Sequence, residues 1–230
     1  MKFSALAFDL DGTLYPNYRL YFRLIPFILN EYRLLMALGK ARTRLRNSYN
    51  QSDSAVPLAD DPGGGDFYGN QARIMAEFLG EPAEKVMERN ERIIYRGWEP
   101  HFKKIRLFPH ARETLEAFRA AGIKLGLLSD FPPETKLRNL GISGFWDTII
   151  CSERVGYLKP HSAPFLELAN RMETPPDQIL YVGNSVPYDV EGARKAGMKA
   201  AHIRNWWGSG SKQADFCFSD YRQLRDYVLS

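Results

Sequence analysis

Cysteine is scarce in this chain: Cys151 and Cys217 are the two present. Two thiols cannot build a disulfide framework, nor a structural zinc site by themselves. Both read as buried strand residues, and a cytoplasmic, reducing setting is expected over a secreted one. Histidine is scarce as well. His101, His110, His161 and His202 are scattered without the spacing of metal ligands, so structural roles are expected for them. The opening Met1-Lys2-Phe3 runs straight into a short apolar segment ending in acids, without the pattern of a secretory signal. No apolar run reaches the roughly 20 residues that a membrane-spanning helix takes. The nearest approach, Tyr18 to Leu38, is interrupted by Arg19, Arg23, Pro26, Asn30, Glu31 and Arg33. Acids are almost missing from residues 17–49: Arg19, Arg23, Arg33, Lys40, Arg42, Arg44 and Arg46 stand against Glu31 alone, in a chain of net charge +4. Such a run is most often a solvated helix face, although it could also draw in an anionic substrate. No nucleic-acid partner is expected.

What is present is a soluble, globular composition over 230 residues, enough for one ordinary core and a substantial insertion. Short apolar runs at Phe3–Leu10, Ile123–Ser129, Thr148–Ser152, Ile179–Gly183 and Lys199–Ile203 read as buried strands. Between them, Ala111–Ala121, Pro164–Arg171 and Val190–Ala196 have helical spacing. This alternation predicts an α/β fold, a Rossmann-like parallel sheet covered on both faces through right-handed crossovers. Asp215–Ser219 and Tyr221–Leu229 add an edge strand and a closing helix. Residues 17–100 break the rhythm. They read as helices, among them Phe67–Leu79 and Pro82–Tyr95, around a polar loop from Asn47 to Asp66; Pro26 is expected to kink or divide the first helix. The division expected is therefore an α/β core of residues 1–16 and 101–230 with an inserted α-helical cap of residues 17–100.

The chemistry concentrates at Phe8-Asp9-Leu10-Asp11-Gly12-Thr13-Leu14, where the first strand ends. Strand alternation sends Asp9 and Asp11 to the same side, and two carboxylates so close call for a cation or a shared proton. An Asp-Gly turn is common in loops. The order acid, apolar, acid, Gly, Thr directly after a buried strand asks for more than a turn.

This segment resembles the first motif of the haloacid dehalogenase superfamily, and three further motifs follow in that family's order. Leu127-Leu128-Ser129-Asp130 resembles the second, Val155-Gly156-Tyr157-Leu158-Lys159-Pro160 the third, and Val182-Gly183-Asn184-Ser185-Val186-Pro187-Tyr188-Asp189 the fourth. The resemblance implies a magnesium-dependent phosphomonoester hydrolase acting on a small phosphorylated substrate. Asp9 would be the nucleophile that forms an aspartyl phosphate, and Asp11 the acid that protonates the leaving oxygen and then activates water. Ser129, Asp130 and Lys159 would hold the phosphate. Asp9, Asp11, Asn184 and Asp189 would surround Mg2+, a hard cation suited to oxygen ligands. Asn184 departs from the family, which usually has an acid there; its amide oxygen can ligate but carries no charge. Ser129 also suits a helix cap and Lys159 a solvated position. A dehalogenase typically lacks the second acid, so Asp11 favours phosphate chemistry. A phosphomutase or related phosphotransferase, a non-catalytic binding protein on the same fold, and a membrane-surface protein using the basic, aromatic first helix are the alternatives.

Overall fold

The computed structural model describes residues 2–49, 66–204 and 210–230. Most of the expected polar loop, and residues 205–209, which include Trp206 and Trp207, lie outside the described residues.

Six strands, β1 (Ala5–Phe8), β2 (Lys124–Ser129), β3 (Thr148–Cys151), β4 (Ile179–Gly183), β5 (Lys199–Ile203) and β6 (Phe216–Phe218), form one sheet in the order β3-β2-β1-β4-β5-β6. Every neighbouring pair is parallel. β1 is short because Asp9 and the turn at Gly12, with φ of +89°, end it where Phe8 pairs with both Leu127 and Val182. Its alternation sorts the core. Leu6 and Phe8 join one apolar cluster with Leu115 and Phe118 of α5 (Ala111–Ala120) and Leu224 and Val228 of α10 (Tyr221–Leu229). Ala5 and Ala7 face the other, with Phe165 and Leu168 of α8 (Ser162–Arg171) and Ala193 of α9 (Glu191–Lys195). Both faces of the sheet are thus covered by helices, as parallel sheets require. Cys151, in the edge strand β3, is buried as expected, whereas Cys217, in the opposite edge strand β6, is only half-buried.

Between β1 and β2 the chain leaves the sheet for α1 (Asn17–Asn30), α2 (Tyr32–Tyr49), α3 (Phe67–Leu79) and α4 (Ala83–Asn90), the last continued by a wide π-type turn, Glu91–Arg96. Helix α1 runs through Pro26, and the division falls at Glu31 instead. Leu34, Ala37 and Leu38 of α2 pack with Met75 of α3 and Val86 of α4 in a separate apolar cluster. Asp66 caps α3 by accepting from the Gly69 N–H at 2.9 Å, and Gly80 closes it in the left-handed conformation. A small cluster of Leu45, Phe67, Tyr157 and Leu158 joins this inserted segment to the core.

Candidate active site

Successive strands run outward from β1 to one side, β2 then β3, and then cross to the other, β4 then β5. The carboxyl ends of β1, β2 and β4 therefore meet at the switch point where α/β sheets bind ligands. Asp9 follows β1, Ser129 ends β2 and Asn184 follows β4, so the topology gathers residues from three motifs at one edge. Lys159 comes from the loop after α7 (Ser152–Val155) and reaches the same place.

The centre is a buried chain of charges. Lys159 Nζ donates to Asp9 Oδ1 at 2.7 Å and to Asp189 Oδ1 at 2.6 Å. Asp9 Oδ2 accepts from the Thr13 hydroxyl at 2.7 Å. The same hydroxyl oxygen lies 3.3 Å from Asn184 Oδ1, which places the amide oxygen of Asn184 beside the Asp9 carboxylate. Burial raises the Asp9 carboxyl to about 7; Lys159 opposes this, while the negative charges of Asp189 and Asp11 add to it. Lys159 is held well above its usual range: burial works against its charge, but Asp189 and Asp9 outweigh burial.

Asp189 is presented by a wide turn, Val186–Val190, in which the N–H groups of Asp189 and Val190 both donate to Ser185 O. Its Oδ2 accepts the N–H groups of Asn184 and Ser185, at 3.1 and 2.9 Å. This carboxylate lies against Gly183, where an added Cβ would sit 2.3 Å from Asp189 Cβ; only glycine lets the loop fold back so closely. With one oxygen on Lys159 and the other on two amides, Asp189 holds the loop that carries Asn184.

Asp11 is turned the other way. Lys136 Nζ donates to its two oxygens at 2.7 and 2.6 Å, and the Tyr15 hydroxyl donates to Oδ1 as well. Ser129 is fully buried, and its hydroxyl has no hydrogen-bond partner among the described residues. Asp130 lines the same cleft, with its carboxylate engaged by neighbouring donors. Its side chain accepts from Arg46 Nη2 at 2.8 Å and from the Lys159 N–H at 3.1 Å. Burial alone would raise this carboxyl, but Lys159, Arg42 and Arg46 hold it below its usual value, so the group keeps a negative charge that would repel a phosphate.

The basic stretch is only partly a solvated face. Arg42 and Arg46, four residues apart on one side of α2, point into the core. Arg42 pairs with Glu153, which also accepts from the Tyr95 hydroxyl at 3.1 Å, and stacks on Phe131 with its guanidinium 4.0 Å from the ring centre. Arg46 reaches Lys159 O at 2.8 Å and lies over Tyr188. Arg44 between them is exposed and paired with Glu77. A cleft of about 820 Å³ lies where these elements meet, lined by Asp9, Asp11, Lys136, Lys159, Asn184 and Asp189 from the core and by Tyr21, Tyr68, Tyr95 and Trp98 from the insertion.

Sequence reasoning missed Lys136, Tyr15, Glu153 and the inward turn of Arg42 and Arg46. The i, i+4 spacing of the two arginines was a usable signal. Lys136 carried none, since it is one lysine in an ordinary helix, α6 (Glu134–Leu140).

The pattern of the haloacid dehalogenase-like hydrolases matches residues 3–197. The chain belongs to that family. It is 32% identical to the phosphoglycolate phosphatase of Salmonella paratyphi A over 95% of this chain and 90% of the relative. It is 27% identical to the glyceraldehyde 3-phosphate phosphatase of Methanopyrus kandleri over 87% of this chain and 84% of the relative. Among solved structures, a HAD phosphatase from Thermococcus onnurineus superposes with a TM-score of 0.64 at 24% identity, covering 98% of this chain and 97% of its own, and so shares the fold.

Proposed function

We propose that this chain is a magnesium-dependent phosphatase that removes the phosphate of a small monoester through an aspartyl phosphate on Asp9. The observation that carries the reading is that Asp9 and Asp11, both just past the end of β1, line one cleft with Lys159, whose ammonium is 2.7 Å from Asp9. The family membership and the phosphatase names of two relatives of nearly full coverage support it.

Asp9 attacks phosphorus as the ester P–O bond breaks, and Asp11 gives the leaving oxygen its proton. Asp11 then takes a proton from water, whose oxygen attacks phosphorus; the bond to Asp9 breaks, and inorganic phosphate leaves with the carboxylate restored. Lys159 neutralises charge on nucleophile and phosphate together. Ser129 supports the phosphate contact: a buried hydroxyl without a partner costs about 1–3 kcal/mol unless a ligand uses it. Asp130 holds Arg46 and the Lys159 loop in place. Residues 17–100 act as the cap and line the cleft with Tyr21, Tyr68, Tyr95 and Trp98.

The donor set fits a hard divalent cation. Asp9 and the Asn184 amide oxygen flank one hydroxyl, and burial leaves Asp9 short of positive charge even with Lys159 beside it. Asp9, the Asp11 main-chain carbonyl and Asn184 would hold magnesium, with Asp189 adding its charge from behind. When bound, the ion supplies charge neutralisation that lets an anionic nucleophile approach an anionic phosphate.

The test is phosphate release from a panel of small phosphomonoesters with and without magnesium. Release that depends on the metal is expected for at least one member. A folded protein that hydrolyses none of them, aryl phosphates included, refutes the assignment.

A further inference from the structure

Helix α1 is apolar on two sides. Leu20 and Leu24 are buried against the core, yet on the outer side Phe22, Ile25 and Leu29 stand 69%, 44% and 71% exposed. The outer stripe continues over the break at Glu31 into α2, where Tyr32 and Met36 are each 60% exposed. These five positions follow one another at steps of three and four residues, so they form a single ridge. Soluble chains scatter exposed apolar residues; a contiguous row of this size marks a surface meant to be covered. Among the described residues nothing covers it.

The charges beside the ridge narrow the choice of occupant. Arg33 and Lys40, seven residues apart, flank it and are exposed. Glu31, the one acid between Asn17 and Tyr49, is already paired with Arg89 at 2.7 Å. A second copy of the chain docked by the same ridge would bring Arg33 and Lys40 against their own equivalents with no acid between them. A partner helix follows a single axis, whereas this ridge passes across a helix break. A bilayer surface has neither difficulty. Its acyl boundary takes phenylalanine, isoleucine, leucine and methionine, its headgroup level suits a tyrosine hydroxyl, and its anionic phosphates meet the two cations. No described helix is long and apolar enough to cross a membrane, so the contact is one of lying on the surface.

We infer that the outer ridge of α1 and α2 docks this protein on anionic lipid bilayers. The experiment is co-sedimentation of the purified full chain with phosphatidylcholine vesicles, with and without phosphatidylglycerol, followed across a salt series. Binding to the anionic vesicles is expected, weakened by salt, with little on phosphatidylcholine alone. Phe22→Ser with Leu29→Ser should lower partitioning by at least about tenfold, since two large apolar side chains no longer enter the boundary. Circular dichroism and phosphate release from a soluble ester should match the wild type, because neither side chain touches the cleft. Arg33→Gln with Lys40→Gln should abolish the preference for anionic vesicles while leaving some apolar binding. A folded wild type that stays in the supernatant with anionic vesicles overturns the inference. So does a dimer, seen by light scattering, that the Phe22 and Leu29 substitutions convert to monomer, because the ridge is then a seam between copies.

Discussion

Two arginines on helix α2, two residues and so about half a turn apart, show how differently the two regions of this molecule use the same residue type. Arg42 is buried between Glu153 and Phe131, while Arg44 lies in solvent beside Glu77. The wider contrast has the same form. At the carboxyl edge of the sheet, buried charges are compensated by named partners: Lys159 by Asp9 and Asp189, Asp130 by Arg46. On the outer side of the insertion, the uncompensated groups are apolar. A buried charge must be paired or it costs several kcal/mol, so the core edge tolerates few changes, whereas exposed apolar groups do not threaten the fold and remain free to serve a contact. The core edge is therefore where substitutions should be severe.

The largest effect should come from Asp9→Asn. The amide keeps shape and burial but cannot attack phosphorus, so turnover should fall by at least about a thousandfold. The unfolding midpoint should hold or rise, because a buried carboxylate is removed. Ordinary turnover in the folded variant would show that the nucleophile lies elsewhere.

Next in size are two stability changes. Lys159→Met leaves Asp9 and Asp189 facing each other without the ammonium, at a cost of about 3–5 kcal/mol in urea unfolding. Adding Asp9→Asn to that variant should recover part of the loss, a coupling that only neighbours show. Arg42→Met should cost a similar amount, since Glu153 is then buried without its cation, whereas Arg44→Met should change stability by less than about 0.5 kcal/mol. Equal effects at residues 42 and 44 would erase the contrast between a buried latch and a solvated pair.

The parallel sheet could be read from the alternation of short apolar runs with helical segments, because strands buried on both faces are apolar throughout. The edge strand and the closing helix followed from the same signals. Asp9 and Lys159 were legible through motif order, and the structure brings their side chains within hydrogen-bond distance across 150 positions of sequence. What was not legible depended on packing between distant elements. Nothing local says that Lys136 bridges both oxygens of Asp11, or that Asp130 faces Arg46. Pro26 does not divide the helix for a related reason: a missing N–H can be absorbed within a helix held by its neighbours, and α1 is held by Leu20 and Leu24.

The smallest effect expected is also the one that distinguishes this chain from its family pattern. Asn184 offers a neutral oxygen where an acid is usual, beside Asp9 and at the Thr13 hydroxyl. Asn184→Asp adds a negative charge next to the proposed cation position, where attraction across a partly buried distance is worth roughly 1 kcal/mol or more. The magnesium concentration for half-maximal phosphate release should therefore drop by about three- to tenfold. The same gain should appear without turnover, as a larger rise in melting temperature on adding magnesium, because a ligand that binds only the folded state stabilises it by mass action. Turnover at saturating magnesium should change by less than about twofold, since Asp9 and Asp11 are untouched. The new carboxylate would also sit near Asp9 and Asp189, whose charges already crowd Lys159, so without metal the variant should melt below the wild type. A variant that is less stable without magnesium and gains more from it fits a ligand position. One that loses stability and gains nothing places residue 184 outside the metal's shell, and leaves Asn184 as the brace that sets Thr13 against the nucleophile.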